Sequence, residues 1–219
     1  MPMERTFFFL KPDAVIRNHV GAKILDEILT LGCEPKTFLT LSPSRHFLSN
    51  EHYYMHKGKP FFDWLLDFVT SANLIVLVLE GKDIIKKVRE TLGPTMVEKA
   101  VFEDNSSLRA RYGLFRGVNL AHASDSSLSA SSELLTWTFH FSLRDDAQTR
   151  EKLERYISIH LDSKYVDTLQ YRSLAEELEE HPDRFEEIKK DFVNLLRKEN
   201  NKLENRKLED FAEVVLAAI

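Results

Sequence analysis

The sequence predicts an α/β (α+β) fold: a ferredoxin-like split βαβ sandwich with an antiparallel four-stranded sheet, extended at its C-terminal end by α-helices. Three observations predict it. Up to Phe141, short apolar runs alternate with stretches of helical periodicity in the order strand, helix, strand, helices, strand, helix, strand, helix. The run Asn73 to Leu79 (NLIVLVL) is the most apolar in the chain and has the length and β-branching of a central strand. Past Phe141, apolar residues thin out and charges crowd together, the composition of amphipathic helices. The chain thus divides into an α/β domain over residues 1–141 and a helical extension over 142–219.

Thr6 to Leu10 fits a buried strand, and residues 20–31 carry Val20, Ile24, Leu25, Ile28 and Leu29 at helical spacing, with Gly32 as a C-cap. Glu34 to Leu41 reads as a second strand, whose start Pro35 confines to a sheet edge or an entry turn. Two helical stretches occupy 47–70, one around EHYYMHKGK and one beginning at Pro60. Gly81 closes the apolar strand, 83–92 forms a short helix, 93–113 a long loop, and 115–120 a last strand leading into His122. Asp125 or Ser126 caps a helix running to about Trp137. In the extension, Leu153, Tyr156 and Ile157 share one face. A second helix starts near His181-Pro182 with Phe185, Ile188, Phe192 and Leu195, and a third carries Leu208, Phe211 and Val215. Such faces pack on the domain or on a partner.

With 30 basic and 35 acidic residues the net charge is -5, which argues against general nucleic-acid binding. No run reaches the roughly 18 apolar residues of a membrane span. The single cysteine, Cys33, excludes an intrachain disulfide and points to the cytoplasm. The run NLAHASDSSL sets His122 just ahead of a small-residue turn and a helix start. Imidazole, with an unperturbed pKa of roughly 6.5, can attack phosphorus near neutral pH without prior deprotonation. The remaining histidines (His19, His46, His52, His56, His140, His160, His181) show no metal-ligand spacing.

Over roughly residues 4–140 the chain resembles the nucleoside diphosphate kinase family. ERTFFFLKPDAV resembles the family's opening strand and lysine motif, EHY and KPFF its nucleotide-clamping helices, and NLAHASDS its active-site histidine motif. The resemblance implies γ-phosphoryl transfer from a nucleoside triphosphate to a diphosphate by a ping-pong relay through phospho-His122. It implies that Lys11 binds phosphate, that Arg89 and Arg109 clamp it, and that Thr95 donates a hydroxyl. Asn119 would touch the sugar, and Phe61 would stack on any base. Tyr53, Ser124 and Glu133 would support the histidine, with Glu133 holding the ring nitrogen that does not react. Mg2+ would arrive on the nucleotide phosphates, without a dedicated protein cage. A homo-oligomer is implied as well, working with nucleotides rather than membranes or nucleic acid.

Four departures from the family pattern stand out. Ala14 and Ala123 replace glycines, Met96-Val97 replaces an Asn-Pro pair, and the loop from Met96 to Leu108 is longer and lacks a Pro-Gly. The methyl of Ala123 is expected to narrow the phosphate site or alter its backbone angles. A second reading, suggested by Ala123 and the extension, is a nucleotide-binding interaction module with slow or no turnover.

Overall fold

The computed structural model describes residues 3–219. Strands β1 (Met3–Leu10), β2 (Glu34–Leu41), β3 (Leu74–Lys82) and β4 (Ala121–Ala123) form one sheet of order β2-β3-β1-β4, with every neighbouring pair antiparallel. Central β1 alternates between two cores, as the two-residue period of a strand requires. Phe7 and Phe9 enter one apolar cluster, Phe8 and Leu10 the other, all four fully buried. Pro35 sits on edge strand β2 beside a bulge between Pro35 and Thr37, where a missing N–H costs no ladder bond.

Helices α1 (Pro12–Ile16) and α2 (Asn18–Leu29) follow β1, so helical structure begins earlier than residue 20, and Gly32 (φ +74°) turns the chain after the helix instead of capping it. One turn of helix, α3 (Arg45–Phe47), runs into a wide turn over Leu48–His52 and a 3-10 turn over Tyr54–His56. Helix α4 (Phe62–Thr70) then begins just after Pro60. β3 runs through Gly81 instead of ending there. Beyond α5 (Ile84–Leu92), the expected loop 93–113 holds two short helices, α6 (Val97–Glu103) and α7 (Leu108–Tyr112). The second is capped by the Ser107 hydroxyl, which accepts from the Ala110 N–H. Helices of seven and five residues hold two turns or fewer, too little for a period to show.

Residues 115–120 are not a strand, because Arg116 (φ +47°) and Leu120 (φ +79°) are left-handed and Phe115 turns back on Val118. The last strand is β4, and His122 lies inside it opposite Phe9. Helix α8 (Ser127–Phe141) starts at a capping box formed by Ser126 and Ser129.

The extension packs on the domain. Residues 144–149 run beside β2: Thr37 Oγ1 donates to the Arg144 carbonyl (2.8 Å), and the Lys36 carbonyl accepts from the Asp146 N–H (2.9 Å) and Thr149 Oγ1 (3.1 Å). Helix α9 (Thr149–Leu161) lies on α2, with Leu153 and Ile157 in the core cluster beneath the sheet. Helix α10 (Thr168–Glu180), unforeseen in the sequence reading, precedes α11 (Phe185–Glu199), which a 3-10 turn at Pro182–Arg184 introduces. Helix α12 (Asn205–Leu216) packs on α11 and α4. A fully buried pair, Arg17 and Glu199 (3.0 Å), joins the two parts. Arg17 also donates to the Tyr112 carbonyl and Thr168 Oγ1, while Glu199 accepts from Tyr171 Oη and the Val166 N–H.

Candidate active site

The site forms where β1 ends beside β4. Lys11, one residue past β1, is turned inward and buried, and its Nζ donates to Asn119 Oδ1 (2.8 Å). Burial and the neighbouring Arg109 charge lower its pKa to about 8. The chain returns to this point through Leu120. Its left-handed backbone is held from both sides: the Lys11 N–H donates to its carbonyl (2.8 Å) and its own N–H donates to Asp13 Oδ2 (2.9 Å). Such conformations persist only where the surroundings over-determine them. This one fixes Asn119 on one side and β4 with His122 on the other. Asp13, buried and with its pKa raised by burial, is the part of KPDAV that the sequence reading left unassigned.

His122 is held by a chain of contacts. Its ring stacks on Phe9 (5.0 Å between centroids, 19° between planes), and Nε2 is 2.8 Å from Glu133 Oε1. Ser124 Oγ donates to Glu133 Oε2 (2.6 Å) and accepts from the Phe7 N–H (3.1 Å), so the carboxylate is tied to β1. With Nε2–H facing a carboxylate, Nδ1 keeps its lone pair, and it has neither a protein partner nor complete burial. Glu133 thus lies against the ring and Ser124 behind Glu133.

A cavity of about 670 Å³ opens over His122. Lys11, Tyr53, Phe61, Arg89, Thr95, Arg109, Asn119 and Glu133 all line it, which brings together every predicted site residue except Ser124, buried behind Glu133. Burial and nearby Glu133 raise the Tyr53 phenol pKa, keeping it a neutral donor toward the cavity. Arg109 donates to the carbonyls of Gly93 (2.8 Å), Asn119 (3.1 Å) and Ala121 (2.9 Å), so it braces the cavity wall and keeps two N–H groups to spare. Burial and the Arg89 charge lower its pKa to about 10. Asn119 Oδ1 accepts from Lys11 and Nδ2 donates to the Thr95 carbonyl (2.7 Å), so the amide holds two of its neighbours in the lining. Ala123 lies in β4 opposite Phe8, outside the positive-φ region, so its methyl imposes no backbone strain.

Sequence reasoning missed His52, because its role is spatial. It lies behind His122 (4.7 Å between centroids), and with Glu133 these residues form the one group with metal-ligand types among those described. The hydrogen bonds disfavour a metal. Trp137 Nε1–H donates to His52 Nδ1 (3.2 Å), which puts the proton of a neutral ring on Nε2, where a metal would bind. Burial beside His122 and Lys11 lowers the His52 pKa well below its ordinary value. Also unforeseen in the lining are His56, Trp64, Arg116, Asp125 and, from the extension, Ala217 and Ala218.

The nucleoside diphosphate kinase family model matches residues 4–142. A nucleoside diphosphate kinase of Aquifex aeolicus is 40% identical over 136 residues, covering 61% of this chain and 93% of its own length. One from Staphylococcus epidermidis is 36% identical over 151 residues, covering 68% and 97%. The crystal structure of the Aquifex enzyme superposes with a TM-score of 0.58 at 39% identity, over 62% of this chain and 94% of that one. That of a Halobacterium salinarum nucleoside diphosphate kinase in complex with CDP superposes at 0.60 and 31% identity, over 69% and 99%. Residues 4–142 hold β1 to β4, the buried lysine and the braced histidine, and by this match the chain belongs to the nucleoside diphosphate kinase family.

Proposed function

We propose that this chain is a nucleoside diphosphate kinase in which His122 Nδ1 is the nucleophile of a ping-pong transfer. The lone pair on Nδ1 attacks the γ-phosphorus of a nucleoside triphosphate. The bond from that phosphorus to the β,γ-bridging oxygen breaks, and the diphosphate leaves. A second diphosphate then takes the phosphoryl group from Nδ1 by the reverse displacement, so one cavity serves donor and acceptor. The observation that carries this reading is the hydrogen bond from His122 Nε2 to Glu133, which leaves Nδ1 as the accessible ring nitrogen beside Lys11, Arg89 and Arg109. As the phosphoryl group moves, these cations offset its charge and the Glu133 carboxylate stabilises the charge left on the ring. Tyr53 and Thr95 line the cavity and in this reading donate to phosphate oxygens, while exposed Phe61 in the same lining stacks on a base.

The carboxylates lining the cavity are Asp125 and Glu133, and Glu133 is occupied by His122 and Ser124, which fits Mg2+ carried in on the phosphates better than a protein cage. When bound, Mg2+ would supply positive charge that offsets the charge on the phosphate oxygens. In the same reading the chain works in the cytoplasm as a homo-oligomer. Exposed Leu128, Leu135 and Phe139 on α8 support self-association, and no described helix is long and apolar enough to cross a membrane.

The test mixes protein, ATP, Mg2+ and CDP and follows CTP, with a parallel search for an acid-labile phosphoenzyme when CDP is withheld. His122→Ala should abolish both, by at least ~10³-fold in rate. Nucleotide binding with neither product in the unaltered chain would leave an interaction module instead.

A further inference from the structure

The extension reaches the cavity. Helix α12 packs along α4, and Trp64 of α4 donates its indole N–H to the Val214 carbonyl (2.8 Å). The turn after α12 puts Ala217 and Ala218 into the cavity lining, in company with Phe61, Trp64, Arg116 and Gly117. Arg116 ties this wall to the domain: its guanidinium donates to the carbonyls of Ala218 and Ile219 (2.8 Å to the latter) and pairs with Glu179 of α10 (2.6 Å). Its own N–H donates to Glu98 Oε1 (2.7 Å), which helps hold its left-handed backbone. Gly117 completes the closure, because a β-carbon there would lie 3.2 Å from the Trp64 ring.

We propose that the Ala217–Ala218 turn is a specificity element of this chain, a wall across the base subsite from Phe61 that admits a base by size. The inference deepens the kinase reading and rests on the part of it that puts nucleotides in this cavity, since Phe61 marks the base end only if they bind here. The wall offers two methyl groups, and the Ala218 carbonyl is already spent on Arg116, so it reads little hydrogen-bonding pattern. What it limits is the depth of a flat ring system beside Phe61. The small side chain at 218 leaves room for the two-ring purines; filling it shortens the slot while leaving the phosphate end, around Lys11 and Arg109, untouched.

The experiment measures Kd for ADP and for CDP by titration calorimetry on the full chain, with Ala218→Trp and the milder Ala218→Val, alongside thermal unfolding. Ala218→Trp is expected to weaken ADP at least tenfold and CDP less than threefold, with Ala218→Val between it and the native chain. Equal weakening of both, or none in a folded variant, overturns the proposal, as does absence of nucleotide binding by the native chain. Should Ala218→Trp fail to fold, Ala218→Val decides by the same comparison. Phosphoenzyme formation in the native chain, measured in parallel, separates the two readings. Binding that shows the size effect without transfer sinks the kinase alone, while transfer without the size effect sinks the wall alone.

Discussion

His122, Glu133 and Ser124 work as one unit, because the serine orients the carboxylate and the carboxylate fixes which imidazole nitrogen keeps its lone pair. Glu133→Gln keeps the shape but loses the charge that stabilises the ring as phosphate arrives. Its kcat should fall by ~10–100-fold with KM little changed, as read by steady-state kinetics. Lys11 makes a prediction about pH. Its lowered pKa of about 8 means the cation that meets phosphate is lost as pH rises through that value. The apparent KM for nucleoside triphosphate should therefore climb above about pH 8, and Lys11→Arg should remove the bend, because a guanidinium stays charged there. The same shift acts on stability with the opposite sense. Between about 8 and its ordinary 10.5 the unfolded chain binds the extra proton, so this group's contribution to stability rises with pH across that window.

Among elements, the α11 anchor should matter most for stability. Glu199→Ala would leave Arg17 charged and fully buried, and chemical denaturation should register a loss of about 3–5 kcal/mol. Ser126→Ala, which removes the cap of α8, should cost about 1 kcal/mol. The elements also differ in how plainly the sequence announces them. β3 is legible because NLIVLVL can only be satisfied by cover on both faces, and α12 because Leu208, Phe211 and Val215 keep a helical period. α6 and α7 are too short for a period, and β4 is three residues cut out of a stretch bent by Arg116 and Leu120. In the site, His122, Lys11 and Arg109 are legible from local motifs. Asp13, His52 and Arg116 are not, since each matters through what tertiary packing sets against it: a backbone N–H at Leu120, the back of His122, and a turn about a hundred residues away.

At the scale of the molecule, one apolar cluster draws on both sides of Phe141, joining Phe68, Phe115 and Trp137 to Phe192, Phe211 and Val215. Truncation after residue 142 should strip the cover from these rings and give an aggregating product with little cooperative unfolding, which calorimetry and light scattering would reveal. Because residues 144–149 already run beside β2, the self-association proposed above should use a surface other than that edge. Leu128→Lys with Phe139→Lys, on the opposite face of α8 from the core, should lower the mass seen by sedimentation. The Arg17–Glu199 pair has a consequence during synthesis as well. The two residues are separated by 182 positions, so at 5–20 residues per second a ribosome delivers the carboxylate roughly 10–40 s after the guanidinium. Until then the start of α2 has a cation without its buried carboxylate, an interval in which a chaperone or a protease on the emerging chain would find that region open.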